Sequence, residues 1–192
     1  SKANVIIVTG TPGTGKTVFS RMLAKQLQAH YLSLGSYLIQ HGIYVSVDRK
    51  RESKIVDVLR ARRMMRALIS KNPCLIVDTH IPEGIVPKDA TRMVFVLRCN
   101  PQLLERRLRR RKWKVEKVKE NVMAEILDSC LVAAQKYYGK KKVTQLDTSY
   151  GSVKRSVLLA RKMLLRSRFS RLSVDWLGKL ETDKSFGKYL RW

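Results

Sequence analysis

Gly10-Thr11-Pro12-Gly13-Thr14-Gly15-Lys16-Thr17 places glycines, a lysine and a threonine at the G-x-x-x-x-G-K-[ST] spacing. That spacing suits a polyphosphate. Several backbone N–H groups must converge on one anion, so the chain has to wrap closely. Gly13 and Gly15 carry no Cβ to block that approach or to forbid positive φ. A helix opening near Lys16 turns its positive end toward the anion. Lys16 then reaches the β- and γ-phosphates of ATP, and the Thr17 hydroxyl ligates Mg2+. A glycine turn without nucleotide is the bland alternative. The context argues against it, because an apolar strand precedes the loop and an amphipathic helix follows.

Two further groups fit phosphoryl chemistry. Asp78 directly follows the apolar run Cys74 to Val77, where a carboxylate can hold a metal-bound water. A turn residue after a strand is the bland alternative. His80 stands two residues on. If the strand stays extended, both side chains point toward the phosphates, and His80 becomes a candidate to orient water or assist proton transfer. A purely structural histidine is the rival reading, and it is the preferred one for His30 and His41. The block from Arg98 to Lys119 contains Arg106, Arg107, Arg109, Arg110, Arg111, Lys112, Lys114, Lys117 and Lys119. Like charges at i,i+4 repel, so this density calls for a polyanion. One or two arginines can close over ATP, while the rest, with Trp113 for stacking, touch RNA. A merely solvated basic face remains the alternative.

The elements that must position these groups are partly visible. Asn4 to Thr9 reads as a strand buried on both faces, as parallel sheets require. Phe19, Met22, Leu23 and Leu27 mark the helix after the loop. Tyr31-Leu32, Cys74–Val77, Arg92–Leu97 and Val143–Leu146 are the other strand candidates. Helices are expected over Ile55–Ile69, Pro101–Arg111 and Val153–Leu164, with one long helix from Val115 to Tyr137. This is the pattern of an α/β fold with a parallel central sheet flanked by helices. Beyond about Arg166 the pattern weakens into a basic tail with Val174, Trp176, Leu177 and Leu180 as anchors.

The chain has 192 residues, enough for one compact domain, with Lys+Arg 40 against Asp+Glu 15 and a formal charge of +25. Ion-pair networks need both signs, so this imbalance points to a polyanionic partner, RNA before a membrane surface. A generically basic proteome is the remaining explanation. No apolar stretch is long enough to span a bilayer, and no cleavage pattern marks a secretory signal. Cys74, Cys99 and Cys130 are scattered, as reduced thiols in a cytoplasmic protein are.

Taken together, GTPGTGKT, IVDTH at 76–80, VFVLRCNPQLLERRL at 94–108 and ENVMAEI at 120–126 resemble the adenylate kinase isoenzyme six family, which includes archaeal adenylate kinases. The resemblance runs from about Asn4 to Leu146. Its loop motif is shared with many NTPases, whereas the D-x-H and LERRL segments are more specific. VDWL at 174–177 resembles the tail of archaeal members and suggests an archaeal source. The resemblance implies the three-layer P-loop fold of nucleoside monophosphate kinases, here residues 1–166. An NMP-binding arm would span about 33–54 and a small lid about 109–119, with 167–192 as a basic C-terminal tail. It implies transfer of phosphate from ATP to AMP, or to another monophosphate, with ATPase activity. It also implies a role in maturation of the small ribosomal subunit, with ribosomal protein uS11 and small-subunit rRNA as partners. Gly13, Thr14, Gly15, Lys16, Thr17 and Val18 fall on the ATP loop. Asp78 and His80 fall on the family's Walker B variant, and Arg111 falls on the lid arginine. Thr17 and Asp78 would hold the metal. Where relatives have an aspartate, an arginine and a lid glycine, this chain has Ser36, Ile39 and Lys112. Its arm, VSVDRKRESKIVD, is basic where theirs is acidic, so Arg49, Arg51 and Lys54 become candidate phosphate holders beside Asp48 and Asp57. Two rival readings follow: an ATP-switched ribosome assembly factor with little AMP kinase activity, and an RNA-binding module with a vestigial loop.

Overall fold

A computed structural model describes residues 4–48, 53–166, 173–182, 184 and 186–190. In chain order the elements are β1 (Val5–Thr9), α1 (Lys16–Leu27), β2 (His30–Ser33), α2 (Leu34–Gln40), β3 (Tyr44–Asp48), β4 (Ser53–Val56), α3 (Val58–Lys71), β5 (Leu75–Asp78), β6 (Thr91–Arg98), α4 (Pro101–Arg110), α5 (Val115–Ile126), α6 (Ser129–Tyr138), β7 (Val143–Asp147), α7 (Val153–Arg166), α8 (Trp176–Thr182) and α9 (Gly187–Leu190). A five-stranded sheet runs in the order β2-β5-β1-β6-β7 with all pairs parallel. β3 and β4 form a separate antiparallel hairpin.

The apolar runs are explained by burial on both faces. In β1, Val5 and Ile7 join a cluster with α2, α3 and α6, while Ile6 and Val8 join one with α1 and α7. A period-2 strand with apolar residues at every position has no solvent face to offer. The result is three layers, helices on either side of a parallel sheet. A third cluster joins Leu104 and Leu108 of α4, Val118, Val122 and Ile126 of α5, and Leu180 and Tyr189 of the C-terminal segment. The described part of residues 167–192 is therefore docked on α4 and α5.

Two expected helices change their bounds. The stretch read as Ile55–Ile69 begins as strand, because Ile55 and Val56 pair with β3 in the hairpin. The helix starts at Val58, where the Asp57 carboxylate accepts from Arg60 N at 3.0 Å as an N-cap. The single helix expected over Val115–Tyr137 is broken between α5 and α6. Asp128 adopts a left-handed backbone with φ 56°, and its carboxylate bonds the Arg98 guanidinium. The periodicity of apolar residues survives the break, so the sequence pattern conceals it. The hairpin and α2 were not expected as separate elements.

Candidate functional site

The strand ends converge. Val8 registers with Asp78, Ser33 with Asp78, and Arg98 with Asp147, so the carboxyl ends of the sheet share one edge. Parallel α/β sheets bind ligands at that edge. The 10–17 loop lies there. Gly13 and Gly15 both have φ 95°, a conformation that L side chains rarely adopt. A Cβ on Gly13 would lie 2.8 Å from Leu104 Cδ1 and 3.1 Å from Leu108 Cδ2, so α4 seats directly on the loop. Thr14 Oγ1 donates to Thr11 O at 2.9 Å and closes the turn.

Lys16 opens α1 with its ammonium folded onto the loop, donating to Gly10 O at 2.8 Å and Thr11 O at 3.2 Å. Burial lowers its pKa, against the opposing pull of the Asp78 carboxylate. Thr17 Oγ1 donates to Asp78 Oδ2 at 2.8 Å, and Tyr31 OH donates to the same oxygen at 3.1 Å. A hydroxyl and a carboxylate side by side, all oxygen, fit the protein's share of a Mg2+ shell. Among the described residues no cluster of three His, Cys, Asp or Glu could cage a metal.

β5 does not stay extended through His80. Its last residue is Asp78, and Ile81 N donates to the Thr79 hydroxyl at 3.2 Å in a local turn. Asp78 and Thr79 are buried and His80 is exposed at the bend. The imidazole pKa is lowered, first by lost hydration and then by the Lys16 ammonium, with Asp78 opposing. Lys16 in turn feels Arg111. The four residues singled out for catalysis (Lys16, Asp78, His80 and Arg111) thus share one electrostatic neighbourhood.

Two cavities flank it. One, of about 420 Å³, lies between the loop, the end of α4 and the start of α7. Gly13, Thr14, Gly15 and Val18 form its floor, with Arg107, Arg110 and Arg111 on one wall and Thr148, Gly151 and Ser152 on the other. Arg107 donates to Gly13 O at 3.3 Å and Thr148 O at 3.5 Å, bridging the two walls. The other cavity, of about 670 Å³, is bounded by α2, the hairpin, α3 and the 79–85 segment. Its wall is mostly apolar, including Leu34, Leu38 and Ile85, with Lys54, His80, Glu83 and the Tyr44 phenol as the ionisable groups. Burial raises the Glu83 pKa. The Tyr138 hydroxyl, 2.9 Å from Pro82 O and 3.0 Å from Val86 O, pins the segment that carries Glu83.

Sequence reasoning did not single out Arg107, Tyr31, Glu83 or the 148–153 loop. Arg107 was hidden by its identical neighbours. The turn-rich run Asp147 to Val153 between a strand and a helix was the available signal for the loop. Ile39 lines the second cavity, and Ser36 exchanges a 3.1 Å hydrogen bond with Ser33. Arg49 and Arg51 lie outside the described residues, as does the Asp48 side chain. Lys54 lines the cavity and sits 4.1 Å from the Tyr44 ring centroid. The 109–119 segment is the end of α4, a turn at 111–114 with Lys112 at φ 58°, and the start of α5. Trp113 packs on the third cluster with Lys117 Nζ 5.5 Å from its ring centroid, so it is not a bare stacking platform. Burial pushes all three thiols up, Cys99 to about 12, so none is a nucleophile at neutral pH. No helix among the described residues is long and apolar enough to cross a membrane.

Residues 6–128 match a family model described as an AAA domain. A protein named "Putative adenylate kinase" from Methanocaldococcus jannaschii is 30% identical over 174 residues, 91% of this chain and 93% of that one. One of the same name from Saccharolobus solfataricus is 39% identical over 145 residues, 76% of this chain and 75% of that one. Among solved structures, shikimate kinase from Acinetobacter baumannii in complex with shikimate superposes with a TM-score of 0.61 at 16% identity, covering 88% of this chain and 97% of that one. A gluconokinase from Sinorhizobium meliloti gives 0.54 at 14% identity, covering 86% and 93%. At these identities the structures speak for the P-loop kinase fold alone. The sequence relatives go further, and by them the chain belongs to the archaeal adenylate kinase family of P-loop proteins.

Proposed function

We propose that the chain transfers the terminal phosphoryl group of ATP to a nucleoside monophosphate, giving ADP and the nucleoside diphosphate, which is two ADP for AMP, the first candidate among them. The observation that carries this reading is the pair of cavities, one floored by the loop residues that lead into Lys16 and the other lined by Thr79 and His80, which follow Asp78. The glycine-floored, arginine-walled cavity fits ATP. The apolar one fits a nucleoside, which buries its base and presents its phosphate toward Lys16. Mg2+ supplies charge neutralisation on the β- and γ-phosphates when bound. Thr17 and Asp78 would hold that ion, Lys16 and the loop amides would hold the phosphate oxygens, and Arg111 would offset charge that builds on the transferring group. Without an acceptor, His80 orients water for slow hydrolysis. The test is ADP formation from ATP and Mg2+ with and without AMP. Strong stimulation with AMP consumed supports the kinase. Turnover indifferent to AMP supports an ATPase.

His80 also makes a pH prediction. Its lowered pKa keeps it neutral through physiological pH, and protonation adds a second cation beside Lys16. ATP hydrolysis is therefore expected to fall on an acid limb whose midpoint lies below the ordinary histidine value. His80→Gln removes that limb. An unchanged limb in the variant would assign it to another group.

A second reading is favoured by the +25 charge. In it the chain acts on the small ribosomal subunit in the cytoplasm, with uS11 and small-subunit rRNA as partners, and nucleotide state sets its affinity. Arg106, Arg109 and Lys112 are exposed on and just beyond α4, away from the ATP cavity wall. If the basic face makes six to ten phosphate contacts, affinity for small-subunit RNA falls about 10³- to 10⁵-fold between roughly 50 and 200 mM salt. A flat salt response would remove the RNA partner.

A further inference from the structure

We propose that Glu125 and Trp176 are positioning residues for the ATP loop, so that the C-terminal segment beginning at Val174 is a working part of the nucleotide site. Glu125 lies on α5 with a side chain 2% exposed. Its Oε2 accepts from Thr11 Oγ1 at 2.6 Å. Its Oε1 accepts from Arg98 Nε at 2.8 Å, Cys99 N at 3.0 Å and Trp176 Nε1 at 3.2 Å. One carboxylate therefore ties together the phosphate loop, the end of β6 and a tryptophan that arrives 51 residues later. Arg98 completes the knot through Gln145 Oε1 at 2.7 Å, Glu125 O at 2.9 Å, Val174 O at 3.5 Å and the Asp128 carboxylate.

Thr11 carries the effect to the chemistry. Its hydroxyl is held by Glu125, and its carbonyl accepts from both Thr14 Oγ1 and Lys16 Nζ, at 2.9 and 3.2 Å. The path from Trp176 to Lys16 is thus four hydrogen-bonded residues long. A buried ion pair is weak evidence for stability, since apolar residues of similar volume serve as well. A carboxylate taking four donors fixes directions that an apolar contact does not. The same segment reaches the loop from its other side. Leu180 and Tyr189 pack in the cluster with Leu104 and Leu108, the two side chains over Gly13, and Lys188 Nζ bonds Glu105 Oε2 at 2.8 Å.

The test uses the full chain and reads ATP binding by displacement of a fluorescent ATP analogue, with no acceptor present. The inference rests on ATP occupying the loop, and wild-type binding checks that separately. Trp176→Phe keeps an aromatic ring in the buried site but deletes the pyrrole ring with its N–H donor to Glu125, so ATP Kd is expected to rise about three- to tenfold, the scale of one hydrogen bond. Thr11→Val is expected to weaken binding by at least as much, and Thr11→Ser to restore it. Because both act through Glu125, the double variant Thr11→Val/Trp176→Phe should bind no worse than Thr11→Val alone. Leu164→Ala opens a core defect at the far end of α7, in the cluster with Ile6 and Val8 and away from the loop. It should lower the melting temperature while leaving ATP Kd within about twofold. The proposal is overturned if Trp176→Phe leaves Kd unchanged, if the two single effects multiply, or if Leu164→Ala weakens ATP as much as Trp176→Phe. Should Trp176→Phe fail to fold, the Thr11 pair decides. Equal loss in Thr11→Ser and Thr11→Val would show that the hydroxyl, and with it Glu125, has no part.

Discussion

Lys16→Met is expected to lower phosphoryl transfer about 10²- to 10³-fold while leaving the melting temperature unchanged or higher. The loss follows from position. Lys16 is the loop's own cation, its Nζ within 3.2 Å of two loop carbonyls and electrostatically coupled to Asp78 and Arg111. No backbone amide replaces a mobile ammonium that follows the γ-phosphate as charge moves. The stability sign follows from burial. Lost hydration lowers the Lys16 pKa, so the unfolded chain holds this proton more tightly than the folded one. Carrying the charge costs stability at neutral pH, and that cost is relieved only as pH rises through the folded pKa toward the ordinary lysine value. Methionine removes the cost at every pH. ADP formation under saturating ATP and a thermal melt of both proteins check the two halves. A variant that melts much lower would show that Lys16 is structural, and its lost activity would then say little about chemistry.

What the sequence made legible sorts by range. β1, the loop and the start of α1 are local. An apolar run, two glycines at required positive φ and a helical periodicity each declare themselves within twenty residues or so, and the fold shows them. The three-layer architecture follows from strands with no polar face. The break at Asp128 was not legible, because a left-handed aspartate looks like any helical aspartate until Arg98 is known to lie beneath it. Nor was the β3–β4 hairpin, whose alternation is blurred by exposed Val45, Val47 and Ile55. The candidate catalytic group was named from motifs, yet its second cavity was not. Glu83 reaches that cavity only because Tyr138, 55 positions further along, holds its segment in place. The C-terminal segment shows the same limit. Trp176 read as an apolar anchor, and its N–H acquires a role only through Glu125, which no sequence spacing connects to it.

Arg98→Met is the second large effect, and it falls on stability. Arg98 and Glu125 are each 2% exposed, so removing the guanidinium strands a carboxylate with neutral donors alone. Breaking a buried pair in this way costs about 3–5 kcal/mol. A domain is stable by only about 5–15 kcal/mol, so the change is large. For a chain of this length, at 2–4 °C per kcal/mol, the melting temperature should drop by about 6–20 °C. Removing both charges, as Arg98→Met/Glu125→Leu, should recover much of the melting temperature at neutral pH, because nothing charged is left stranded. It should not recover ATP binding, because Thr11 has then lost its acceptor. Recovery of melting temperature without recovery of binding separates the two uses of one carboxylate. If the double variant melts no higher than Arg98→Met, the knot is held by packing rather than by its charges.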